Sequence, residues 1–451
     1  MRQIIKRFSH FLLIILSFTL ANEANAVPSF ARQTGMDCVA CHTNFPELTP
    51  FGREFKLNGY TLGEVKMTPF AVMVQASYNT IAKEKNSDGS KAMLRNNNFT
   101  LDQISLFVAG KINDHAGGFI QITQSNNNGD PSVDTKTKGH SALDNTDLRL
   151  IDNYKLMGKN LLLGLNLNNN PTVQDVWNST PAWGIPNYQV MLAVQDGPMV
   201  TKIEDIGSQV AGLGGYFWYD RHLYGELSLY GSATHAFHVL GSGTAKQDLA
   251  RLEGRNNPYW RLAWSEDHGP HSFMLGTFGM LANVYPDSTS PSGPTDKFLD
   301  TALDAQYQYI SDPSIFTAQT SFIHEKQKWN ASFTDGSEGV SNTRDTLNSF
   351  KAKLSYLYER KYGATIAYYK TFGSEDSLSV NPDIALTHKP NYEWYVAEVN
   401  YSPRTNVRLA LQYTGYLQYA GSRSNYMDPS KEFSRNPSDN NTLMGNIWFA
   451  Y

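Results

Sequence analysis

Cysteine is almost missing from this 451-residue chain: two residues, together in one short motif, cannot staple a protein of this size through disulfides. Long hydrophobic runs are missing too. After the N-terminus no apolar stretch approaches the roughly 20 residues of a transmembrane helix, which excludes a helical inner-membrane protein. Charge of one sign is scarce as well. The 38 Lys+Arg and 42 Asp+Glu leave a formal net charge of -4, without the basic excess that marks nucleic-acid binding. The apolar fraction, 41%, is below the roughly 45–50% of soluble globular chains, which argues against the three ordinary domains the length suggests. In their place are aromatic residues, 12% with 25 Tyr, and 34 Gly. This composition suits an exported, turn-rich protein of polar average.

Export is written at the N-terminus. Arg2, Lys6 and Arg7 form a basic region, Phe11 to Leu20 an apolar core, and Ala24-Asn25-Ala26 a small-residue cleavage site. The apolar core is about half as long as a membrane span, so residues 1–26 are expected to be cleaved, with Val27 starting the mature chain. Removal takes away three cations and Glu23 and leaves the remainder somewhat more acidic.

Both cysteines fall in Cys38-Val39-Ala40-Cys41-His42, the C-x-x-C-H spacing of covalent haem attachment. Two thiols one helical turn apart can add to the two vinyl groups, and the next residue's imidazole can then reach the iron as proximal ligand. A thioredoxin-like redox pair would need a βαβ surround, which the flanking sequence lacks. A structural zinc site would need two more ligands, and no further Cys or His lies between positions 11 and 114. One covalent haem c is the expected cofactor.

Downstream, Thr49 as N-cap, Pro50 at the first helical position and Gly59 past the end bracket a short helix. Phe51 and Phe55 share one face of it, suited to covering a porphyrin. Arg53 is a candidate partner for a haem propionate, or else a solvated arginine. Met67, just before Thr68-Pro69, is the expected distal ligand, with His115, Met73 or an open position as alternatives. Residues 27–68 are close to the size below which a domain needs a staple. The haem and packing against the rest of the chain would supply it.

From Phe70 the dominant signal has period two. Phe70, Val72, Val74, Ala76 and Tyr78 alternate with Ala71, Met73, Gln75, Ser77 and Asn79; Leu161, Leu163, Leu165 and Leu167 alternate with Leu162, Gly164, Asn166 and Asn168. One face is apolar and the other small or polar, as in lipid-out, lumen-in strands. A soluble sandwich alternates too, and the turns discriminate. Tight reversals are predicted at 113–115, 158–160, 220–222, 266–270, 311–313, 359–361 and 402–404. Long Asn/Asp/Ser/Gly-rich stretches separate them at 125–145, 168–207, 232–256, 283–298 and 373–391. Seven hairpins plus a first strand near Phe70 and a last one ending at Tyr451 make sixteen strands. Leu443, Ile447, Phe449 and Tyr451 fall on one face of the last. The fold expected is an all-β, sixteen-stranded outer-membrane barrel over 69–451, with a small N-terminal helical haem domain over 27–68. The even count puts both termini in the periplasm.

With these features in hand, the sequence resembles the fused monohaem cytochrome c–porins, typified by the outer-membrane iron-oxidising cytochromes. The match runs through Pro28-Ser29-Phe30-Ala31-Arg32-Gln33-Thr34-Gly35 into Cys38-Val39-Ala40-Cys41-His42, then Phe45-Pro46 through Arg53. It returns at Asn168-Asn169-Asn170-Pro171-Thr172-Val173-Gln174-Asp175 and Trp177-Asn178-Ser179-Thr180-Pro181-Ala182-Trp183, and covers essentially the whole mature chain. The resemblance implies that Cys38 and Cys41 link the haem and His42 ligates its iron. It further implies that the haem domain, as a plug in the lumen or at the periplasmic mouth, carries electrons from extracellular Fe(II) to a periplasmic cytochrome. The 171–183 loop either folds into the lumen as a constriction or is an ordinary Trp-anchored loop.

Electron transport, with Fe(II) oxidation as a possible enzymatic activity, is thus the expected function of this metal-binding outer-membrane protein, whose surroundings are outer-membrane lipid and not nucleic acid. Two other functions compete: outward transfer to an extracellular acceptor, and a porin whose haem plug gates or stabilises the pore. Fe(II) is a hard cation that an entrance lined with carboxylates and carbonyls would attract. His235 and His238 lie three apart near a loop but have no carboxylate cluster beside them, so they make a poor metal site.

Overall fold

The computed structural model describes residues 29–65, 68–86, 89, 91–92, 96–125, 140–183, 197–234, 239–241, 250–335, 339–379, 386–426 and 435–451. The 1–26 signal segment, Met67, His235 and His238 lie outside them.

Sixteen strands form one closed antiparallel barrel in which each pairs with its sequence neighbours and the first pairs with the last. They are β1 Phe70–Ile81, β2 Asn98–Lys111, β3 Ala116–Ser125, β4 His140–Leu156, β5 Lys159–Asn168, β6 Val210–Tyr219, β7 Leu223–Ser232 and β8 Asn257–His268. The second half comprises β9 His271–Val284, β10 Asp296–Ser311, β11 Ser314–Lys328, β12 Arg344–Tyr358, β13 Tyr362–Gly373, β14 Tyr392–Arg404, β15 Val407–Gln418 and β16 Thr442–Ala450. Closure leaves no strand edge unpaired, the condition for a sheet to stand in hydrocarbon. An even number of antiparallel strands, with short turns at one end and long connections at the other, is the architecture of outer-membrane-type barrels.

All seven predicted reversals are present, two of them displaced. The β4–β5 turn falls on Met157 and Gly158, both at positive φ, and Lys159 already pairs with Leu156. Two left-handed residues make the tight reversal whose twist matches the flanking strands. At the other displaced turn β14 continues to Arg404, and the reversal falls on 405–406. The register breaks between Tyr401 and Arg404, around Pro403, because proline cannot donate to the ladder and is housed at an irregularity.

The two faces divide as the alternation predicts. Leu163, Leu165, Leu213, Leu227, Leu275 and Leu303 are exposed on the outside. Near the short turns the outer face turns aromatic at Tyr154, Trp264, Phe273, Tyr356, Tyr362 and Tyr401, an interfacial girdle. The inner face is polar yet buried, with Asp147, Arg149, Asn166, Glu226, Arg261, Asp304, Gln306 and Gln319 at most 7% exposed. Polar lumen residues become buried only if something fills the lumen.

Two segments do. The N-terminal segment folds as three short helices, α1 Ser29–Thr34, α2 Cys38–Cys41 and α3 Pro50–Leu57, docked inside the short-turn end. Arg221 of the β6–β7 turn pairs with Glu54, and Arg360 of the β12–β13 turn donates to the Val39 carbonyl. Beside this plug, residues 169–183 leave the end of β5 and turn inward rather than out. Trp177 is 2% exposed and Thr180 1%.

Candidate functional site

The site begins with a local hydrogen-bond pattern. Thr49 caps α3 by accepting from the Gly52 amide at 3.1 Å, while its hydroxyl donates to the Ala40 carbonyl at 2.6 Å. The Thr49 amide donates to the Cys41 carbonyl at 2.9 Å, and His42 bridges Leu48 across the intervening loop. The cap predicted for α3 therefore also ties α3 to the end of α2. Their contact is so close that a Cβ at Gly52 would lie 2.2 Å from the Cys41 oxygen. Only glycine permits this approach.

Cys38, Cys41 and His42 line one wall of a chamber of about 450 Å³ between plug and barrel. Both cysteines are half-buried, and burial pushes the pKa of their thiols up, that of Cys41 to about 11. Burial also lowers the His42 pKa to about 4, against the pull of the Glu47 and Pro46 carbonyls, so its ring is neutral at pH 7. Nδ1 of that ring is buried without a hydrogen-bond partner. A neutral imidazole is the form that binds a metal. The ring packs on Phe45 at 4.2 Å between centroids, and Phe45 packs on Trp448 of β16 at 5.0 Å.

Aromatic side chains stand around the rest of the chamber. Phe30, Phe55 and Tyr60 of the plug line it, with Phe30 stacked on Tyr60 at 5.1 Å. Phe107 of β2, Phe119 of β3 and Trp183 of the inserted loop line it too, among polar residues that include Gln103, Gln121 and Arg408. Pockets of ~300–1,000 Å³ with mostly apolar walls are the usual receptacles of cofactors. A flat, apolar group attached through two thiols and held by one imidazole is what this arrangement can take up.

Three site expectations change. Phe55 lines the chamber but Phe51 does not; Phe30 and Tyr60 take its place, brought in by the chain reversal after α3 that pairwise spacing on one helix cannot reveal. Arg53 is neither solvated nor at the chamber. It is 4% exposed and donates to Gln308 at 2.6 Å, Gln306 at 3.1 Å, Asp267 at 3.1 Å and Ser272, which ties α3 to β8, β9 and β10. Both of its terminal nitrogens are engaged by the wall and it does not border the chamber, which leaves it no propionate role. His115 lies at the β2–β3 turn, exposed, with Nδ1 at 3.2 Å from the Ile151 carbonyl, and does not border the chamber.

The open question of the 171–183 loop is decided by buried polar contacts. Asp175 organises it by accepting from the amides of Trp177, Ser179 and Thr180. Arg261 of β8 lies between Asp175, at 3.2 Å, and Asp304 of β10, at 2.8 Å, all three side chains fully buried. Gln306 and Gln319 donate to the Trp177 carbonyl at 2.6 and 2.8 Å, and Arg149 to the Gln174 carbonyl at 2.7 Å. From the plug, Lys56 donates to the Val173 and Asp175 carbonyls at 2.6 and 2.9 Å. The loop therefore spans the lumen from β4 to β11 and is bolted to the plug. Its residues are as polar as an external loop's, so composition alone could not place it.

No protein-family model matches the chain, and no curated protein sequence matches it significantly. Solved structures similar to it include outer-membrane proteins. The outer membrane channel DcaP of Acinetobacter baumannii is 12% identical with a TM-score of 0.48, over 85% of this chain and 96% of that one. OmpF of Salmonella typhi, in complex with daunomycin, is 11% identical with a TM-score of 0.45, over 85% and 97%. An anion-selective porin from Comamonas acidovorans is 11% identical with a TM-score of 0.43, over 85% and 98%.

Proposed function

We propose that this chain is an outer-membrane c-type cytochrome–porin that moves electrons across that membrane, from extracellular Fe(II) to a one-electron acceptor, a cytochrome, in the periplasm. The observation that carries the reading is the apolar chamber on which both thiols of the C-x-x-C-H motif and its imidazole open. Cys38 and Cys41 would hold the haem and His42 its iron; when bound, the group supplies reversible one-electron chemistry. Each Fe(II) ion loses one electron to become Fe(III), and the periplasmic partner gains it.

The chain's own residues do the rest. Phe30, Phe55 and Tyr60 keep water from the chamber, and the barrel wall insulates it from lipid. The apolar outer belt and its aromatic girdle support an outer-membrane location. A lumen crossed by both the plug and the 171–183 loop favours a conduit over a sieve, since solute flux needs open cross-section.

The test is anaerobic mixing of the oxidised, detergent-purified protein with Fe(II) while the haem absorbance is followed. Stoichiometric reduction on mixing is expected. Reduction by dithionite but not by Fe(II) would remove iron as the donor and favour outward transfer. A large single-channel conductance of the wild type would instead favour the porin reading.

A further inference from the structure

We propose that Met73, on the wall of the barrel, is the second axial ligand of the haem iron, so that plug and barrel hold the group between them. This rests on the haem reading above and adds to it a residue from outside the cytochrome segment.

The argument is one of placement. Met73 points into the lumen from β1, is 8% exposed, and borders the same chamber as Cys38, Cys41 and His42. Its strand belongs to the wall that faces the plug's haem-motif side. In register, Gln75 pairs with Trp448 of β16, and Trp448 leads to His42 through the Phe45 ring. Met73 is the next lumen-facing residue along β1 from Gln75 and pairs with Ala450.

The sulfur is oriented. The buried Gln75 amide donates to Met73 Sδ at 3.4 Å, while Gln75 Oε1 has no partner. A thioether sulfur has two lone pairs, so this hydrogen bond fixes the side chain and leaves one pair for a metal. A partner of this kind aims a ligand and tunes the metal behind it.

Several competing donors of the chamber are already engaged. The Lys56 amine is spent on the Val173 and Asp175 carbonyls. The Tyr60 hydroxyl donates to Asp147 at 2.7 Å, and the Asp144 carboxylate accepts from Thr123 at 3.1 Å. Met36 also borders the chamber, but it is 41% exposed and precedes Cys38 on the plug segment that carries the proximal ligand. Met73, in contrast, is held on a rigid strand, and ligand sites on rigid elements are the better preorganised.

This assignment couples ligation to barrel closure. β1 and β16 are the first and last strands, and Met73 lies in the seam between them. Full sulfur ligation then requires a closed seam and a docked plug together.

The experiment uses the full chain, produced with haem attachment and purified in detergent. Covalent haem is quantified on the denatured protein, and the oxidised folded protein is read for the weak far-red sulfur-to-iron charge-transfer band and for its midpoint potential. Met73→Leu, which conserves volume and packing, is expected to retain covalent haem, lose the band and shift the potential downward. Met36→Leu and Met67→Leu are expected to keep both. Met73→His, should the leucine variant fold poorly, is expected to give a low-spin spectrum without the band. Covalent haem with the band intact in Met73→Leu, or a band lost in Met67→Leu or Met36→Leu instead, overturns this assignment alone. Absence of covalent haem from the wild type overturns the haem reading and this one with it.

Discussion

Lys353 on the barrel wall and Glu47 on the plug form an ion pair with both side chains about 1% exposed. Glu47 also accepts from the Thr43 hydroxyl at 3.0 Å, one residue from His42. The pair thus fixes the haem-motif loop against β12. Removing one partner leaves an uncompensated buried charge, which costs about 3–5 kcal/mol. Lys353→Met is therefore expected to loosen the plug by that amount, read as faster hydrogen exchange over residues 38–57. In the double variant Glu47→Gln/Lys353→Met most of the protection should return. Equal exchange in all three proteins would show that the pair does not hold the plug.

A second expectation concerns the contact between α2 and α3. Gly52→Ala puts a methyl group into the Cys41 carbonyl, which backbone cannot yield without shifting the two helices apart. Overpacking of this kind costs about 1–3 kcal/mol. In haem-free protein the two thiols should react faster with an alkylating reagent than in the wild type, whereas the neighbouring change Phe51→Leu, away from the chamber, should leave their rate unchanged.

The inserted loop has its own anchor. Arg261→Met leaves Asp175 and Asp304 facing each other without their shared cation, a loss of about 3–5 kcal/mol. The loop should leave the lumen part of the time, and planar-bilayer recordings should show openings that the wild type lacks. A silent Arg261→Met channel would mean that this loop is not what closes the pore.

Stability of the plug should also depend on pH through Lys56. Burial lowers its pKa from 10.5 to about 7, against the attraction of Asp147 and Asp175. Between those values the unfolded chain binds more protons than the docked plug, so stability rises with pH. The penalty for burying the charge is fully present below about pH 7 and is relieved as pH climbs toward 10.5. One proton limits the slope to about 1.4 kcal/mol per pH unit. Local exchange over α3 should slow, after correction for intrinsic rates, from pH 7 to 9 in the wild type, and Lys56→Met should abolish that trend.

Period-two alternation fixed which residues of each strand face lipid, because a pleated strand sends successive side chains to opposite faces. Turn chemistry gave the number of strands, and even the two displaced reversals kept the count, since a hairpin turn can slide by a residue or two without changing what it connects. The haem spacing at Cys38, Cys41 and His42 and the Thr49 cap of α3 were legible for the same reason: each acts over less than two helical turns. The lumen was not legible. Whether the polar 171–183 loop turns in or out is decided by partners on β4, β8, β10 and β11, up to about 140 residues away in sequence. Arg53 reads as a free cation until Gln306, Gln308 and Asp267 are brought to it. Met73 is one of several alternative donors in the sequence until the plug brings His42 to the chamber that Met73 also borders. Local backbone rules determine the strands, the turns and the motif; closure of the barrel around its plug determines which polar residues are buried and which of them meet.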